Sequence, residues 1–203
     1  MIAIVDYGVG NLFSLKSSFG AIGVEIEVTG EPERIKRAQK IVLPGVGAFA
    51  DAAAKLREGG LDRLVIDEAK AGKPLLGVCL GMQLLCTLSY EYGEHRGLDL
   101  IPGCVRSIAP LLPKGLKVPH IGWNALSFNE NKHPLFARIN EGDCVYFVHS
   151  FAAMDCGEAV IATAEYGIPL TAAIARDNMM GTQFHPEKSG EVGLNILRAF
   201  CAM

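Results

Sequence analysis

Pro74-Leu75-Leu76-Gly77-Val78-Cys79-Leu80-Gly81-Met82-Gln83-Leu84-Leu85 runs from an apolar, strand-sized stretch through a glycine-flanked cysteine into an apolar helical segment. A short continuous apolar run bounded by turn signals suits a strand buried on both faces. The same alternation recurs toward the N-terminus. Ile2–Asp6 reads as a buried strand closed by Gly8-Val9-Gly10-Asn11, with a helical stretch to about Ala21. Val24–Val28 alternates like a second strand, and Ile41–Leu43 reads as a third, closed by Pro44-Gly45-Val46-Gly47 before a helical Ala48–Leu56. Leu61–Lys70 has helical spacing, and the run after Cys79 predicts a helix over Leu80–Leu88. Strand–helix alternation predicts a parallel sheet with right-handed crossovers and helices on both faces.

Past Gly103 the pattern changes. Short strands around Cys104–Ile108, Val145–Val148, Ala159–Ala164 and Thr171–Ala175, with weak helical periodicity, predict antiparallel additions and hairpins. Met179–Phe184 reads as one more strand, and Glu191–Phe200 as a helix with Val192, Ile196, Leu197 and Phe200 on one face. No repeat, low-complexity tract or linker interrupts the chain. The expectation is one α/β domain over residues 1–203, a flavodoxin-like and mostly parallel sheet flanked by helices, with antiparallel strands added in the C-terminal half.

Composition narrows the function classes. Half of the 203 residues are hydrophobic, a fifth are charged, and the net charge is −3 with no basic block. This disfavours disorder, nucleic-acid binding and attachment to anionic lipid. The longest apolar runs are strand-sized, too short to span a membrane. Met1-Ile2-Ala3-Ile4-Val5-Asp6 lacks the basic start of a signal peptide, so a cytoplasmic location is expected. The histidines at 95, 120, 133, 149 and 185 have no metal-ligand spacing. Phe13 stands where a dinucleotide fingerprint beginning at Gly8 needs its third glycine. No metal or other cofactor is implied. Of six cysteines, none form Cys-x-x-Cys; five are expected to be reduced, buried thiols.

Cys79 is the exception. Gly77-Val78-Cys79-Leu80-Gly81 has the form of a nucleophile elbow with Cys in place of Ser. Its glycines permit the sharp turn, and the following helix N-terminus favours the thiolate. Alone, the pentapeptide is equally what a buried cysteine in a glycine-rich turn would give. Phe184-His185-Pro186-Glu187 supplies what is missing. His185 and Glu187, two apart in extended chain, share a side, so the imidazole can exchange a proton with the thiol while the carboxylate orients it. Loop N–H groups at Val46 and Gly47, with that of Leu80, can donate to a tetrahedral oxyanion. Gln83, one turn past Cys79 in an apolar helix, needs a polar partner, either substrate or a backbone carbonyl.

These stretches resemble the class I (triad-type) glutamine amidotransferases, and among them the glutaminase subunits of imidazole glycerol phosphate synthase. Asp6–Asn11, Leu43–Phe49, Gly77–Leu85 and Gln183–Ser189 carry the resemblance. His120-Ile121-Gly122-Trp123-Asn124 and Tyr146-Phe147-Val148-His149-Ser150-Phe151 narrow it. The resemblance implies Cys79, His185 and Glu187 as a triad, and L-glutamine held by Gln83 and Glu91 with Gly47, Ser150 and Phe151 nearby. Phe151 stands where the family often has Tyr, so a role for that hydroxyl is absent. Asn11, Trp123, Tyr146 and Lys188 are implied to face a (β/α)₈-barrel cyclase subunit that receives ammonia. In this family the glutaminase is weak until the partner and its ligand are bound. Val46 suggests a cause: a β-branched residue is stiff where the loop must turn an N–H toward the oxyanion. The loop is expected to rest with one donor misdirected, and partner contact through Asn11 and Lys188 to favour the active form. Alternatives are an amidotransferase serving another synthase (anthranilate, aminodeoxychorismate or pyridoxal phosphate) and a non-catalytic cysteine sensor.

Overall fold

The computed structural model describes all 203 residues. The N-terminal half comprises strands β1 (Ile2–Val5), β2 (Ile26–Thr29), β3 (Lys40–Gly45) and β4 (Leu75–Cys79). Between and after them lie helices α1 (Leu12–Ala21), α2 (Pro32–Arg37), α3 (Phe49–Glu58), α4 (Leu61–Lys70) and α5 (Leu80–Leu85). Local chemistry sets several boundaries. The Asn11 side chain accepts from Ser14 N at 3.4 Å and caps α1. Pro32 opens α2, a helix not anticipated from sequence, with Glu33 in its first turn and Lys36 and Arg37 in its last, signs that complement the helix dipole.

The C-terminal half adds β5 (Cys86–Ser89), β6 (His95–Arg96), β7 (Ile101–Ser107), β8 (His120–Phe128), β9 (Cys144–His149), β10 (Phe151–Met154), β11 (Val160–Glu165), β12 (Pro169–Arg176) and β13 (Met179–Thr182). Helix α6 (Gly190–Ala202) follows. The main sheet has the order β2-β1-β3-β4-β13-β12-β11-β8-β9. Its first five strands are parallel, in the flavodoxin-like order, and the rest pair antiparallel. A second sheet, β10-β7-β5-β6, lies beside it.

Strand periodicity explains why both faces of the main sheet are dry. Ala3, Val5, Ile41, Leu43 and Leu75 point to a core shared with Ile35 of α2, Phe49 and Leu56 of α3, and Val65 of α4. Their neighbours Ile2, Ile4, Val42, Leu76 and Val78 point the other way, against Leu15 and Phe19 of α1 and Ile196, Leu197 and Phe200 of α6. Truncating one such residue, Leu76→Ala for instance, removes about 2–5 kcal/mol.

Five expectations need correction. The helix after Cys79 ends at Leu85, because Cys86 turns extended and enters the second sheet; the apolar run conceals a helix–strand junction. The third strand continues through Pro44 and Gly45 and leaves only Val46, Gly47 and Ala48 before α3, and the second begins two residues later than expected, at Ile26. Not all the remaining cysteines are buried: Cys144 is exposed and Cys201 partly so. Glu187 lies in a 3-10 turn, Pro186–Lys188, so it meets His185 by the chain curling back rather than by extension.

Candidate active site

The elbow is made by backbones approaching closely. Cys79 ends β4 and leads directly into α5 with φ 55° and ψ −111°, a sparsely populated conformation for a residue with a Cβ. A Cβ on Gly81 would fall inside the Leu43 carbonyl, one on Gly77 would collide with Gly81 O, and one on Gly45 would lie 2.8 Å from Gly81 N. Glycine at all three positions lets β3, β4 and α5 meet there. Register then fixes the loop: Gly45 pairs with Cys79, so Val46 and Gly47 follow at the same sheet edge. Gly47 has φ +90°, and the Val46 side chain is 42% exposed.

Strand β13 runs parallel to β4, Thr182 beside Val78, and the chain beyond it delivers the base. His185 N donates to Tyr146 O at 3.0 Å. Ser189 Oγ donates to His185 O at 2.7 Å and accepts from Tyr146 N at 3.0 Å. Held this way, His185 Nδ1 lies 2.8 Å from Glu187 Oε1, with both side chains almost wholly buried. Nδ1 is thereby occupied, which leaves Nε2 as the ring nitrogen free to serve the cavity that His185 and Cys79 both line. Burial alone would lower the imidazole pKa, but hydrogen bonds and charge from Cys79 and Glu187 outweigh it and raise the value to about 9. At pH 7 His185 therefore holds a proton beside the sulfur. Glu187 Oε2 is buried without a partner.

These groups border a cavity of about 370 Å³. Its lining includes Cys79, His185, Val46, Gly47 and Leu80, and also Gln83, Glu91, Ser150, Phe151 and Lys188. Gln83 Nε2 donates to Phe151 O at 3.0 Å and to Gln183 Oε1 at 2.9 Å, so it has a backbone and a side-chain partner without substrate. Glu91 Oε2 accepts from Phe49 N at 2.8 Å and holds the first turn of α3. Phe151 packs edge-on against Tyr92, ring centroids 5.7 Å apart.

Three of the four residues implied to face a partner form one group. Trp123, 55% exposed, meets Tyr146 edge-to-face at 5.8 Å, and Lys188 Nζ lies 5.6 Å from the centre of the Tyr146 ring. Asn11 caps the start of α1, a helix packed against the Pro186–Lys188 turn. Gln183, His149 and Tyr92 at or beside the site were not singled out as site residues from the sequence. His149 Nδ1 is 2.9 Å from Phe151 O, and its Nε2 is 3.0 Å from His120 Nδ1. Burial pushes His149 down to about 4, so it is neutral where His185 is charged. Among the five histidines only His185 pairs with a carboxylate. A signal for Gln183 existed in its place two residues before His185, although its contacts lie far off in sequence.

This arrangement brings a thiol, an imidazole and a carboxylate together at one cavity, a set of groups suited to acyl transfer from an amide. Comparison with known proteins agrees. Residues 3–202 match the family described as glutamine amidotransferase class-I. The chain is 48% identical over 206 residues to the imidazole glycerol phosphate synthase subunit HisH of Geobacter sulfurreducens, covering 100% of this chain and 98% of that one. It is 47% identical to the subunit of the same name from Syntrophotalea carbinolica, covering 98% of each. A crystal structure of a glutamine amidotransferase superposes with a TM-score of 0.77 at 19% identity, covering 99% of this chain and 97% of the other, which speaks for the fold alone. The chain belongs to the class-I glutamine amidotransferase family.

Proposed function

We propose that this chain is the glutaminase subunit of an imidazole glycerol phosphate synthase in histidine biosynthesis. It hydrolyses L-glutamine and delivers ammonia to a (β/α)₈-barrel cyclase. The cyclase then makes imidazole glycerol phosphate and aminoimidazole carboxamide ribotide. The observation that carries this reading is His185, bonded to Glu187 at 2.8 Å, lining one cavity with Cys79. The names of the near-half-identical relatives support the choice of synthase. The match over residues 3–202 supports one catalytic domain. No helix is long and apolar enough to cross a membrane, which is compatible with work in the cytoplasm.

In the proposed cycle the Cys79 thiolate attacks the side-chain carbonyl carbon of glutamine. The carbonyl electrons move onto oxygen, where N–H groups of the Val46–Gly47 loop and Leu80 receive them. Collapse breaks the C–N bond, His185 Nε2 gives its proton to the departing nitrogen, and ammonia leaves a glutamyl thioester. Water then attacks the thioester, His185 takes its proton, and glutamate is released as the thiolate is regenerated. Glu187 keeps the ring oriented and offsets its charge throughout. Gln83, Glu91, Ser150 and Phe151 hold the amino-acid end. Trp123, Tyr146 and Lys188, together with Asn11, form the face toward the cyclase.

The test is Cys79→Ala in complex with the native cyclase. Ammonia release from glutamine should vanish while turnover with added ammonium persists. Loss of both activities would point to failed assembly. Recovery of a different synthase in a native pull-down would defeat the choice of partner.

A further inference from the structure

The nucleophile has a neutral polar neighbour that the cycle above does not use. Gln183 is completely buried, just past β13, and its side-chain amide lies between two groups of the site. Its Nε2 donates toward Cys79 Sγ at 3.8 Å, within range for an acceptor as large as sulfur. Its Oε1 accepts from Gln83 Nε2 at 2.9 Å.

Two side-chain amides meet here, and their partners fix which end of Gln183 faces the sulfur. A backbone carbonyl decides it here. Gln83 also reaches Phe151 O at 3.0 Å, and a carbonyl oxygen only accepts. The Gln83 atom at that point must therefore be the NH₂. That NH₂ also faces Gln183, whose near atom must be its oxygen, and the far end, toward Cys79, must be the N–H donor. We infer that Gln183 is a further catalytic residue of the glutamine site, a fixed amide donor that stabilises the Cys79 thiolate and ties the sulfur to the Gln83–Phe151 substrate wall.

The chemistry favours this over a structural role alone. A buried amide needs partners, and its only side-chain partners are Gln83 and the reacting sulfur. An N–H donor gains little from a neutral thiol and much more from a thiolate, so it favours the charged form selectively. It adds no proton of its own and leaves His185 as the only acid near the leaving nitrogen. Other titratable groups facing the sulfur or its cavity are Tyr7 after β1, His149 on β9, Glu187 after β13, and Glu91, Tyr92 and Lys188 on the cavity wall. The inference deepens the glutaminase reading and rests on it only for Cys79 being the nucleophile.

The discriminating variant is Gln183→Glu, which keeps an acceptor for Gln83 while replacing the donor at sulfur. The readout is iodoacetamide alkylation of Cys79 against pH in the full chain, followed by peptide mass spectrometry, with exposed Cys144 as internal reference. Alkylation of Cys79 at pH 7 should slow about tenfold or more, with the profile displaced to higher pH, while Cys144 is unchanged. With the cyclase bound, kcat should fall by a similar factor and KM stay within about twofold. Gln183→Met, which introduces no charge, should move the profile the same way but less, and it keeps the test open if the first variant does not fold. A folded variant of either kind whose Cys79 profile overlies that of the unaltered chain overturns the inference, even if turnover falls. Displaced profiles in a protein that never releases ammonia from glutamine would remove the glutaminase reading and leave the sulfur contact standing.

Discussion

Cys79 reaches the cavity from the parallel half of the sheet, where three backbones are pressed together at Gly45, Gly77 and Gly81. His185 and Glu187 reach it from the end of β13, where a short turn is tied down by Ser189 and Tyr146 through hydrogen bonds. The first arm is positioned by steric exclusion and the second by polar bonding. Steric exclusion tolerates no added atom, whereas a hydrogen-bonded turn loses precision in steps as partners are removed. A nucleophile must present one atom on one trajectory. An imidazole that shuttles a proton needs some freedom between sulfur, leaving nitrogen and water.

Substitutions can break this contrast. Gly81→Ala should have the largest effect, because its Cβ would lie inside the Leu43 carbonyl. Activity should fall to background, with stability down by about 1–3 kcal/mol in denaturant titration. Near-normal turnover would show that the close approach is dispensable. Glu187→Gln keeps the shape and removes the charge on the ring, so turnover should drop about a hundredfold or more. That variant also tests a pH signature. His185 is raised from 6.5 to about 9, so its contribution to stability is complete below pH 6.5 and is lost as pH climbs through 9. Thermal unfolding of the unaltered chain should therefore weaken between pH 6.5 and 9.5 more than that of Glu187→Gln; parallel curves would refute the assignment.

Val46→Gly sharpens the contrast from the loop side. An exposed, β-branched side chain next to Gly47 stiffens the loop without packing against the core. Its removal should raise glutaminase activity in the absence of the cyclase by about tenfold to a hundredfold, part of what one oxyanion donor is worth. An isolated variant as idle as its parent would end that account. Ser189→Ala should have the smallest effect. It strips one donor from His185 O and one acceptor from Tyr146 N, costing about 1–3 kcal/mol in stability, with turnover falling only several-fold. If it equals Gly81→Ala, the two arms are not built differently.

The same contrast explains what the sequence disclosed. Strands β1, β3 and β4 are buried on both faces, so they read as apolar runs, and the glycines of the elbow are visible as letters. Strand β8 was not anticipated because its polarity is inverted. Ile121 and Trp123, 56% and 55% exposed, point outward, while His120 is buried and Asn124 half-buried, held by His149 and by the Glu165 carbonyl. A pattern search that places apolar residues inside fails on such a strand, and exposed aromatic and aliphatic groups are what a docking face would show. The end of α5 was invisible for the opposite reason, since Cys86 continues the apolar run. His185 and Glu187 were legible because they are two residues apart. Gln183 shows the same spacing to His185, but its contact with the sulfur is hidden, because its partners Gln83 and Cys79 lie 100 and 104 positions away.

The backbone at residue 79 has an evolutionary consequence. A φ of 55° with ψ of −111° is ordinary for glycine and costs about 1–3 kcal/mol for a residue bearing a side chain. Thermal robustness alone would therefore favour glycine at this position over any nucleophile. A Cys79→Gly chain should melt at a higher temperature than its parent, and that difference would measure how much durability the lineage forgoes to keep a sulfur there.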